Sequence, residues 1–303
     1  MSDEIRFFEV GPRDGLQNEE KILDRADRVK MIEKLVATGV RDIEIGSFVH
    51  PRWVPQMEGT EEVAENLEAS EDVRFWALVP NLRGLERAMA VGVEHVAVFM
   101  SATEAHNQKN LNRSLQDSLE SLQETTRRAR SEGMAVRAYI STAFGCPFEG
   151  DVDFDVVVEI GEKLLQMGAG HLSLGDTIGA GDPRSIRSGC RRALDAFGPE
   201  KVALHLHDTQ GLAVANALVA FEEGIRMFDG AVGGMGGCPY APGAAGNVAS
   251  EDLVNLFHQM GAKTGIDVDA LCAVTKWLHE EMGFSIGGSY FAYWRAHQGR
   301  EAE

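Results

Sequence analysis

Short apolar stretches, rich in β-branched and aromatic residues, alternate with amphipathic stretches eight times along the chain. We predict strands at 5–10, 40–46, 73–79, 94–100, 135–144, 171–175, 201–207 and 226–232. Helical stretches follow them, roughly at 25–38, 58–69, 82–91, 114–132, 153–168, 183–197, 211–223 and 249–260. Eight strand–helix units favour an α/β fold, the (β/α)8 TIM barrel. A doubly wound open sheet is the alternative, but the sequence lacks its glycine-rich dinucleotide turn after strand 1.

The length of 303 residues suits a single barrel. We predict a barrel domain over residues 1–265 and extra C-terminal helices over 266–303 that pack on it, as one domain overall. Several predicted helices end at a glycine, as at Gly168 and Gly224, which is typical of helix C-termini. Lys109 and Arg113, which follow strand 4, are assigned to a solvated loop.

The charge balance restricts the partners of the chain. Its formal net charge of −18 repels phosphate backbones, so we exclude nucleic acid as a partner. No apolar run reaches the length of a membrane span, and the N-terminus resembles no targeting peptide. We therefore expect a cytoplasmic protein without a membrane partner. Four cysteines without a CxxC pair argue against disulfides and against a cysteine zinc site.

Polar side chains gather where the predicted strands end. In barrels of this type, the carboxyl ends of the strands and the loops after them carry the chemistry. The candidates are Arg13, Asp14 and Gln17 after strand 1, Glu44 in strand 2, Tyr139 in strand 5, Asp176 after strand 6, His205 and His207 in strand 7, and Cys238 and Asn247 after strand 8. Independent solvent-facing charges would not cluster in this way, so we predict a functional site at this end.

The segment "HLHD" places His205 and His207 two residues apart in an apolar strand. Residues i and i+2 of a strand point to the same face, so both imidazoles point inward while Leu204 and Leu206 face the helices. Two imidazoles on one face form a ready pair of metal ligands. The alternative is a pair of core histidines that hydrogen-bond to their neighbours.

Further ligands can come from the neighbouring loops. Asp14 can add a carboxylate, although "PRDG" is also a good β-turn sequence. Asn247 can add an amide oxygen, or it can cap the helix that begins near Ala249. Two nitrogens and two oxygens with open positions suit an octahedral divalent cation, Mg²⁺ or Mn²⁺, better than a closed zinc site.

Two more residues have the chemistry of catalytic groups. Cys238 lies in the glycine-rich segment 233–246, where a thiol can act as an acid, base or nucleophile, or can simply be a small buried side chain. Arg13 can stabilise an enolate or bind a carboxylate. Its alternative role is to pair with Asp14 or Glu44.

Six motifs, in order along the chain, resemble those of the hydroxymethylglutaryl-CoA lyases, a family within the metal-dependent TIM-barrel lyases and synthases. They are "EVGPRDGLQNE", "SFVHPRWVPQM", "YISTAFGCPFEG", "SLGDTIG", "HLHDTQGLAVAN" and "GGMGGCPYAPGAAGNVASEDL". Related synthases and aldolases share "RDG-Q" and "HxHD". The "GGCPYAPGAAGN" loop is the signal specific to the lyases.

The resemblance implies cleavage of 3-hydroxy-3-methylglutaryl-CoA to acetoacetate and acetyl-CoA, in leucine degradation and ketone body formation. It implies these roles: metal ligands Asp14, His205, His207 and Asn247; enolate stabilisation by Arg13; proton donation by Cys238; support by Glu44 and Asp176; and substrate contacts near Gln17 and Tyr139. The proton acceptor is left open between His205 and Asp14. The resemblance also implies a small-molecule acyl-CoA substrate and a homodimer.

Two other functions share these residues. A lyase for another 3-hydroxyacyl-CoA would keep the whole set. A synthase that condenses an acyl-CoA with a 2-oxo acid would keep the metal site but would not need the cysteine loop. A barrel retained only as a binding module would not need candidate residues at so many strand ends.

Overall fold

The computed structural model describes residues 4–68, 70–237 and 246–298. Eight parallel strands close into a barrel, with each strand paired to the next and β8 paired to β1. The strands are β1 (Arg6–Glu9), β2 (Asp42–Ser47), β3 (Arg74–Leu78), β4 (His95–Ser101), β5 (Ala135–Ser141), β6 (His171–Asp176), β7 (Val202–Leu206) and β8 (Met227–Gly230). The predicted (β/α)8 TIM barrel is confirmed.

At least one helix follows every strand. The helices are α1 (Arg25–Ala37), α2 (Thr60–Asn66), α3 (Leu82–Ala90), α4 (Glu104–Leu111), α5 (Leu115–Ser131), α6 (Phe154–Met167), α7 (Pro183–Phe197), α8 (Ala213–Glu223), α9 (Ser250–Gln259), α10 (Val268–Glu280) and α11 (Ser289–Gln298). Their boundaries follow local sequence. The Asp182 carboxylate caps α7 in a reciprocal capping box with Ser185. α6 and α8 end at Gly168 and Gly224, both with φ 113°.

The two faces of each strand are buried in different surroundings. In β7, Leu204 and Leu206 belong to the main core between the barrel and its helices. His205 and His207 point the other way, and their ring centroids lie 5.2 Å apart. The predicted inward direction of the two imidazoles is therefore confirmed.

The segment after β4 differs from the prediction, because Lys109 lies in a helix, α4, rather than in a solvated loop. The reason is a tertiary contact that weak periodicity does not reveal. The Asn107 amide donates to the carbonyls of Arg113 and Ser114 and to Ser118 Oγ, at 2.8–3.0 Å, which ties α4 to the start of α5. The Arg113 guanidinium donates to Ser121 Oγ at 2.7 Å.

Two local conformations also differ from the prediction. "GPRDG" is not a β-turn but a single π-helical turn, in which the N–H groups of Arg13, Asp14 and Gly15 all donate to Val10 O. The fifth strand ends at Ser141, before the predicted 144, because Thr142 has a φ of +59°. A β-branched residue in this left-handed region cannot continue a strand.

Between residues 267 and 298 the chain forms two helices, α10 and α11, as expected. α10 packs against α1 and α9, and α11 packs against α9 and α10. Asp252 of α9 accepts hydrogen bonds from Ser289 N and Tyr290 N, which fixes the start of α11. Among the helices that the structure describes, none has the length and apolar character of a membrane span.

Candidate metal centre and active site

Three side chains of metal-ligand type meet at the carboxyl end of the barrel, which we call the mouth. They are Asp14 from the π-helical turn after β1, His205 in β7 and His207 directly after β7. All three are buried, with their ligand atoms within 4.8 Å of one another. β1 and β7 both flank β8, so residues far apart in sequence become neighbours. The structure thus brings together the first three predicted ligands.

The distances within this group suit ligands of one ion. His205 Nε2 lies 3.2 Å from His207 Nε2 and 3.7 Å from Asp14 Oδ2. Adjacent ligand atoms on an octahedral ion are about 3 Å apart, because each bond is about 2.1 Å long. Burial disfavours the charged form of Asp14, but Arg13 and the two histidines outweigh it and lower the pKa of Asp14 to about 2. Burial and His205 lower the pKa of His207 to about 4.

Asn247 completes a four-residue group, Asp14, His205, His207 and Asn247, which we call the ligand cluster. Its amide nitrogen donates to Asp14 Oδ2 at 2.9 Å and to Met235 O at 3.1 Å. Helix α9 has Ala249 at its N-cap without a side-chain cap, so the alternative role of Asn247 as a helix cap is wrong.

Two buried polar atoms of the ligand cluster, Asn247 Oδ1 and His207 Nδ1, have no hydrogen-bond partner among the described residues. A buried polar atom without a partner costs free energy, so such atoms call for an explanation. A divalent ion would satisfy the Asn247 oxygen beside two imidazoles and a carboxylate. The residues present therefore fit a divalent metal.

Arg13 and Glu44 form a buried ion pair beside the ligand cluster, with Nε and Oε2 2.6 Å apart. Arg13 also pairs with Asp14, and Tyr139 donates to Glu44. Burial opposes the charge of Arg13, but Glu44 and Asp14 outweigh it and raise its pKa further. Arg13 therefore does form the pairings given as its alternative role, and they hold its guanidinium at the mouth. Gln17 donates to Asp14 Oδ1 at 2.9 Å.

Asp229 of β8 and Arg137 of β5 belong to the same network and were missed from the sequence. Asp229 accepts from Arg137 at 2.8 Å, and its Oδ2 lies 3.3 Å from His205 Nδ1. A carboxylate at Nδ1 fixes the tautomer and turns Nε2 toward the site. The sequence feature that could have revealed them is a single charged residue within each of two apolar stretches, "MFDG" and "AVRAY". Arg137 lies two residues before the inward-facing Tyr139.

Asp176 ends β6 below the loop that follows it. Its carboxylate accepts from Ala180 N at 2.9 Å and from Gly181 N at 3.1 Å. Burial raises its pKa to about 6, against the lowering effect of these hydrogen bonds. Asp176 therefore anchors a loop at the mouth rather than joining the ligand cluster.

Glu9 and Glu251 are two further buried carboxylates that the sequence reasoning missed. Glu9 accepts from Gly11 N, Val232 N and Ser250 Oγ, and Glu251 accepts from Gly233 N. Burial raises the pKa of Glu9 to about 8 and that of Glu251 to about 7. Both carboxylates hold the backbone where the glycine-rich segment begins.

Cys238 lies outside the described residues. The described ends of its segment come together at the mouth. Gly246 lies so close to Gly236 that a Cβ added at Gly246 would be 1.8 Å from Gly236 O. Asp208 N also donates to Gly246 O at 2.7 Å. A groove of about 560 Å³ runs past these ends and Asn247, between the loop after β1 and the stretch 283–289 before α11.

A closed barrel with a carboxylate and two imidazoles at its mouth defines a TIM-barrel protein with a candidate divalent-metal site. The HMGL-like family profile matches residues 4–278, and the chain belongs to this family. HMGL-like lyases depend on a divalent metal.

Curated relatives are similar over most of the chain. The hydroxymethylglutaryl-CoA lyase of Bacillus subtilis is 46% identical over 92% of this chain and 93% of its own length. The 3-hydroxy-3-isohexenylglutaryl-CoA/hydroxymethylglutaryl-CoA lyase of Pseudomonas aeruginosa is 45% identical over 95% and 96%. The (R)-citramalyl-CoA lyase of Chloroflexus aurantiacus is 45% identical over 92% and 91%.

Solved structures share the fold over almost the whole chain. The HMG-CoA lyase of Bacillus subtilis has a TM-score of 0.95 at 43% identity and covers 97% of this chain and 100% of its own. An HMG-CoA lyase of Acinetobacter baumannii, in complex with coenzyme A and 3-methylmalate, has a TM-score of 0.91 at 35% identity, with 95% and 94% covered.

Proposed function

We propose that the protein is a divalent-metal-dependent carbon–carbon lyase that cleaves 3-hydroxy-3-methylglutaryl-CoA to acetoacetate and acetyl-CoA. The observation that carries this proposal is the ligand cluster at the mouth, with the unpartnered Asn247 Oδ1, in a chain of the HMGL-like family. Close relatives named hydroxymethylglutaryl-CoA lyase support the reaction.

Asp14, His205, His207 and Asn247 would hold the ion, and the nitrogen–oxygen donor set favours Mg²⁺ or Mn²⁺. When bound, the ion supplies positive charge that orients the hydroxyl and carboxylate of the substrate and lowers the pKa of the hydroxyl. An acidic chain has particular need of such a charge for an anionic substrate.

The chain's own groups then move the protons and stabilise charge. A base, His205 or Asp14, takes the proton of the tertiary hydroxyl, and the electron pair left on that oxygen forms the C=O bond of acetoacetate as the C2–C3 bond breaks. The electron pair of that bond moves to C2 and forms the enolate of acetyl-CoA. Arg13, held by Glu44, stabilises the enolate. Cys238 donates the proton that completes acetyl-CoA.

The groove beside Asn247 supports binding of an acyl-CoA. Its volume of about 560 Å³ falls in the usual range for small-molecule sites, and it opens next to the ligand cluster. Gln17 and Tyr139 would contact the acyl part of the substrate from the mouth. A homodimer, a cytoplasmic location, one domain with a boundary near residue 265, and a role in leucine degradation and ketone body formation stay predictions.

The second candidate is a lyase for another 3-hydroxyacyl-CoA. Relatives that are equally similar, at 45% identity, are named for isohexenylglutaryl-CoA and for citramalyl-CoA, and such an enzyme would use the same ligand cluster. The alternative of an acyl-CoA/2-oxo acid synthase has weaker support, because the relatives named above, at 45–46% identity, are lyases.

The test is to incubate the reduced protein with Mg²⁺ and 3-hydroxy-3-methylglutaryl-CoA and to quantify both products. We expect equimolar acetoacetate and acetyl-CoA, lost with EDTA and restored by Mg²⁺ or Mn²⁺. Cys238→Ala should lower kcat by about 10²-fold or more, as expected for loss of a general acid. Cys190→Ala is the matched control, because that thiol is buried in α7 away from the mouth. Absence of products from a protein that binds the ion would reject this substrate.

A further inference from the structure

Two walls of different chemistry face each other at the mouth. The ligand cluster lies on the side of β7, β8 and β1. Strands β3 to β5 lie across the barrel and contribute an apolar wall of Leu78, Ala97, Phe99 and the ring of Tyr139. The Tyr139 ring meets the His205 ring edge-to-face, with centroids 5.8 Å apart, so the apolar wall reaches the ligand cluster. A molecule held by the ligand cluster therefore has an apolar surface opposite it.

A separate cavity lies behind this apolar wall. The β3–β4 ladder ends at Leu78 and Ala97, whereas β4 stays paired with β5 as far as Ser101. Beyond the end of the shorter ladder is a side cavity of about 110 Å³. Its lining is part apolar, part polar: Pro80, Phe99, Leu111 and Leu122, with Asn81, Arg113 and Ser118. Phe99 is half-buried and belongs to both the apolar wall and the side cavity. Phe99 therefore lies between the apolar wall and the side cavity.

The substrate of the proposed function, on which this inference rests, has one apolar substituent at C3. In the proposed function, its hydroxyl and its carboxylate would lie against the ligand cluster, and Arg13 would face the thioester carbonyl that becomes the enolate. Its thioester arm leaves through the groove. The methyl group remains, and its burial is favourable only against apolar surface. The apolar wall is the surface of this kind that faces the ligand cluster.

We propose that Phe99 determines which C3 substituent the enzyme accepts, because its ring ends the space beside the methyl group and closes the side cavity. Removal of the ring joins the side cavity to the mouth. A longer unbranched substituent then enters the side cavity between Pro80 and Leu111, while the metal ligands and Arg13 keep their places.

The experiment compares kcat/KM for 3-hydroxy-3-methylglutaryl-CoA and for its 3-butyl homologue. In Phe99→Ala the ratio of butyl to methyl should rise by at least about tenfold, since pocket contacts with a few methylene groups are worth that much. Phe99→Leu should give a smaller rise and serves if the alanine variant does not fold. Phe221→Ala is the control, because Phe221 is an equally half-buried ring on α8, outside the barrel. Phe99→Ala/Leu111→Phe should refill the side cavity and lower the ratio again.

The outcomes separate this inference from the proposed function. If the wild type cleaves the methyl substrate and the ratio is unchanged in both Phe99 variants, the role of Phe99 is overturned and the proposed function stands. If the wild type binds the ion but cleaves neither thioester, the proposed function is overturned and the inference with it. A rise that Phe221→Ala reproduces would also overturn the role of Phe99.

Discussion

Strand β2 contributes a buried carboxylate to each end of the barrel, only two residues apart. At the amino end, Asp42 accepts five hydrogen bonds, from Arg6, Arg74 and the Trp76 indole. At the mouth, Glu44 binds Arg13 and Tyr139. The same strand and the same chemistry thus serve two networks that differ in how completely they are satisfied.

The difference lies in the atoms that each network leaves unpaired. The carboxylate of Asp42 has all its partners within the protein. The network at the mouth leaves Asn247 Oδ1 and His207 Nδ1 without partners among the described residues. A buried network whose polar atoms all have hydrogen-bond partners stabilises one structure. A buried polar atom without a partner, beside side chains of metal-ligand type, can be satisfied by a bound ligand. The comparison assigns stability to the Asp42 carboxylate and binding to the ligand cluster, which fits the division between the two ends of TIM barrels.

The largest effect is expected from Asp229→Asn at the mouth. Loss of the carboxylate next to His205 Nδ1 should lower the affinity for Mn²⁺ by about 10–100-fold. It should also lower the free energy of unfolding, because the buried Arg137 then keeps only the more distant Glu44, 3.7 Å away, as a counter-charge. Isothermal titration calorimetry measures the Mn²⁺ affinity, and urea unfolding measures the free energy of unfolding. Unchanged Mn²⁺ affinity would remove Asp229 from the metal site and weaken the contrast between the two ends.

Asp42→Asn should have a smaller effect, and on stability alone. We expect a loss of about 1–2 kcal/mol in the free energy of unfolding, discounted because the Arg6 and Arg74 side chains are 37% exposed. Mn²⁺ affinity should not change. Burial opposes the charge of Asp42, but the two arginines outweigh it and lower its pKa. The stability that Asp42 contributes is therefore present above about pH 4 and is lost as the pH falls further. Altered Mn²⁺ affinity would show that the two ends are coupled.

The smallest effect concerns Glu9, a buried carboxylate that forms no ion pair with a cation among the described residues. Burial raises its pKa to about 8, so from about pH 4.3 to 8 the folded state keeps a proton that the unfolded state releases. The free energy of unfolding should fall as the pH rises through this window, opposite in sign to the effect of Asp42. Glu9→Gln should flatten that dependence in urea unfolding at pH 5 and pH 9. Glu65→Gln, at an exposed position, is the control. If the wild type and both variants show the same pH dependence of the free energy of unfolding, Glu9 does not carry the raised pKa.

The alternation of strands and helices predicted the barrel because it is a property of each local segment. The sequence could not predict helix α4, since its position depends on the hydrogen bonds of Asn107 to the segment after it. Nor could it predict the π-helical turn, in which three N–H groups share Val10 O. Such features depend on packing between segments rather than on periodicity.

The site was predictable where a residue type is unusual in its segment, as with two histidines in an apolar strand. Asp229 and Arg137 were missed because each is a single charge, and only barrel closure shows that they meet. Glu9 and Glu251 were missed because their partners are backbone N–H groups and one hydroxyl each, which carry no charge signal in the sequence. The roles proposed for the ligand cluster await the metal measurements described above.

The closure of β8 on β1 has a consequence for how the protein is made. Asp14 lies near the beginning of the chain and Asn247 lies 233 residues later, yet their side chains touch. On the ribosome, the first turn after β1 is synthesised long before its partner exists. A growing chain therefore has no complete ligand cluster until the segment after β8 has been made and β8 has joined β1. A chain that ended before Asn247 would lack one of the four proposed ligands.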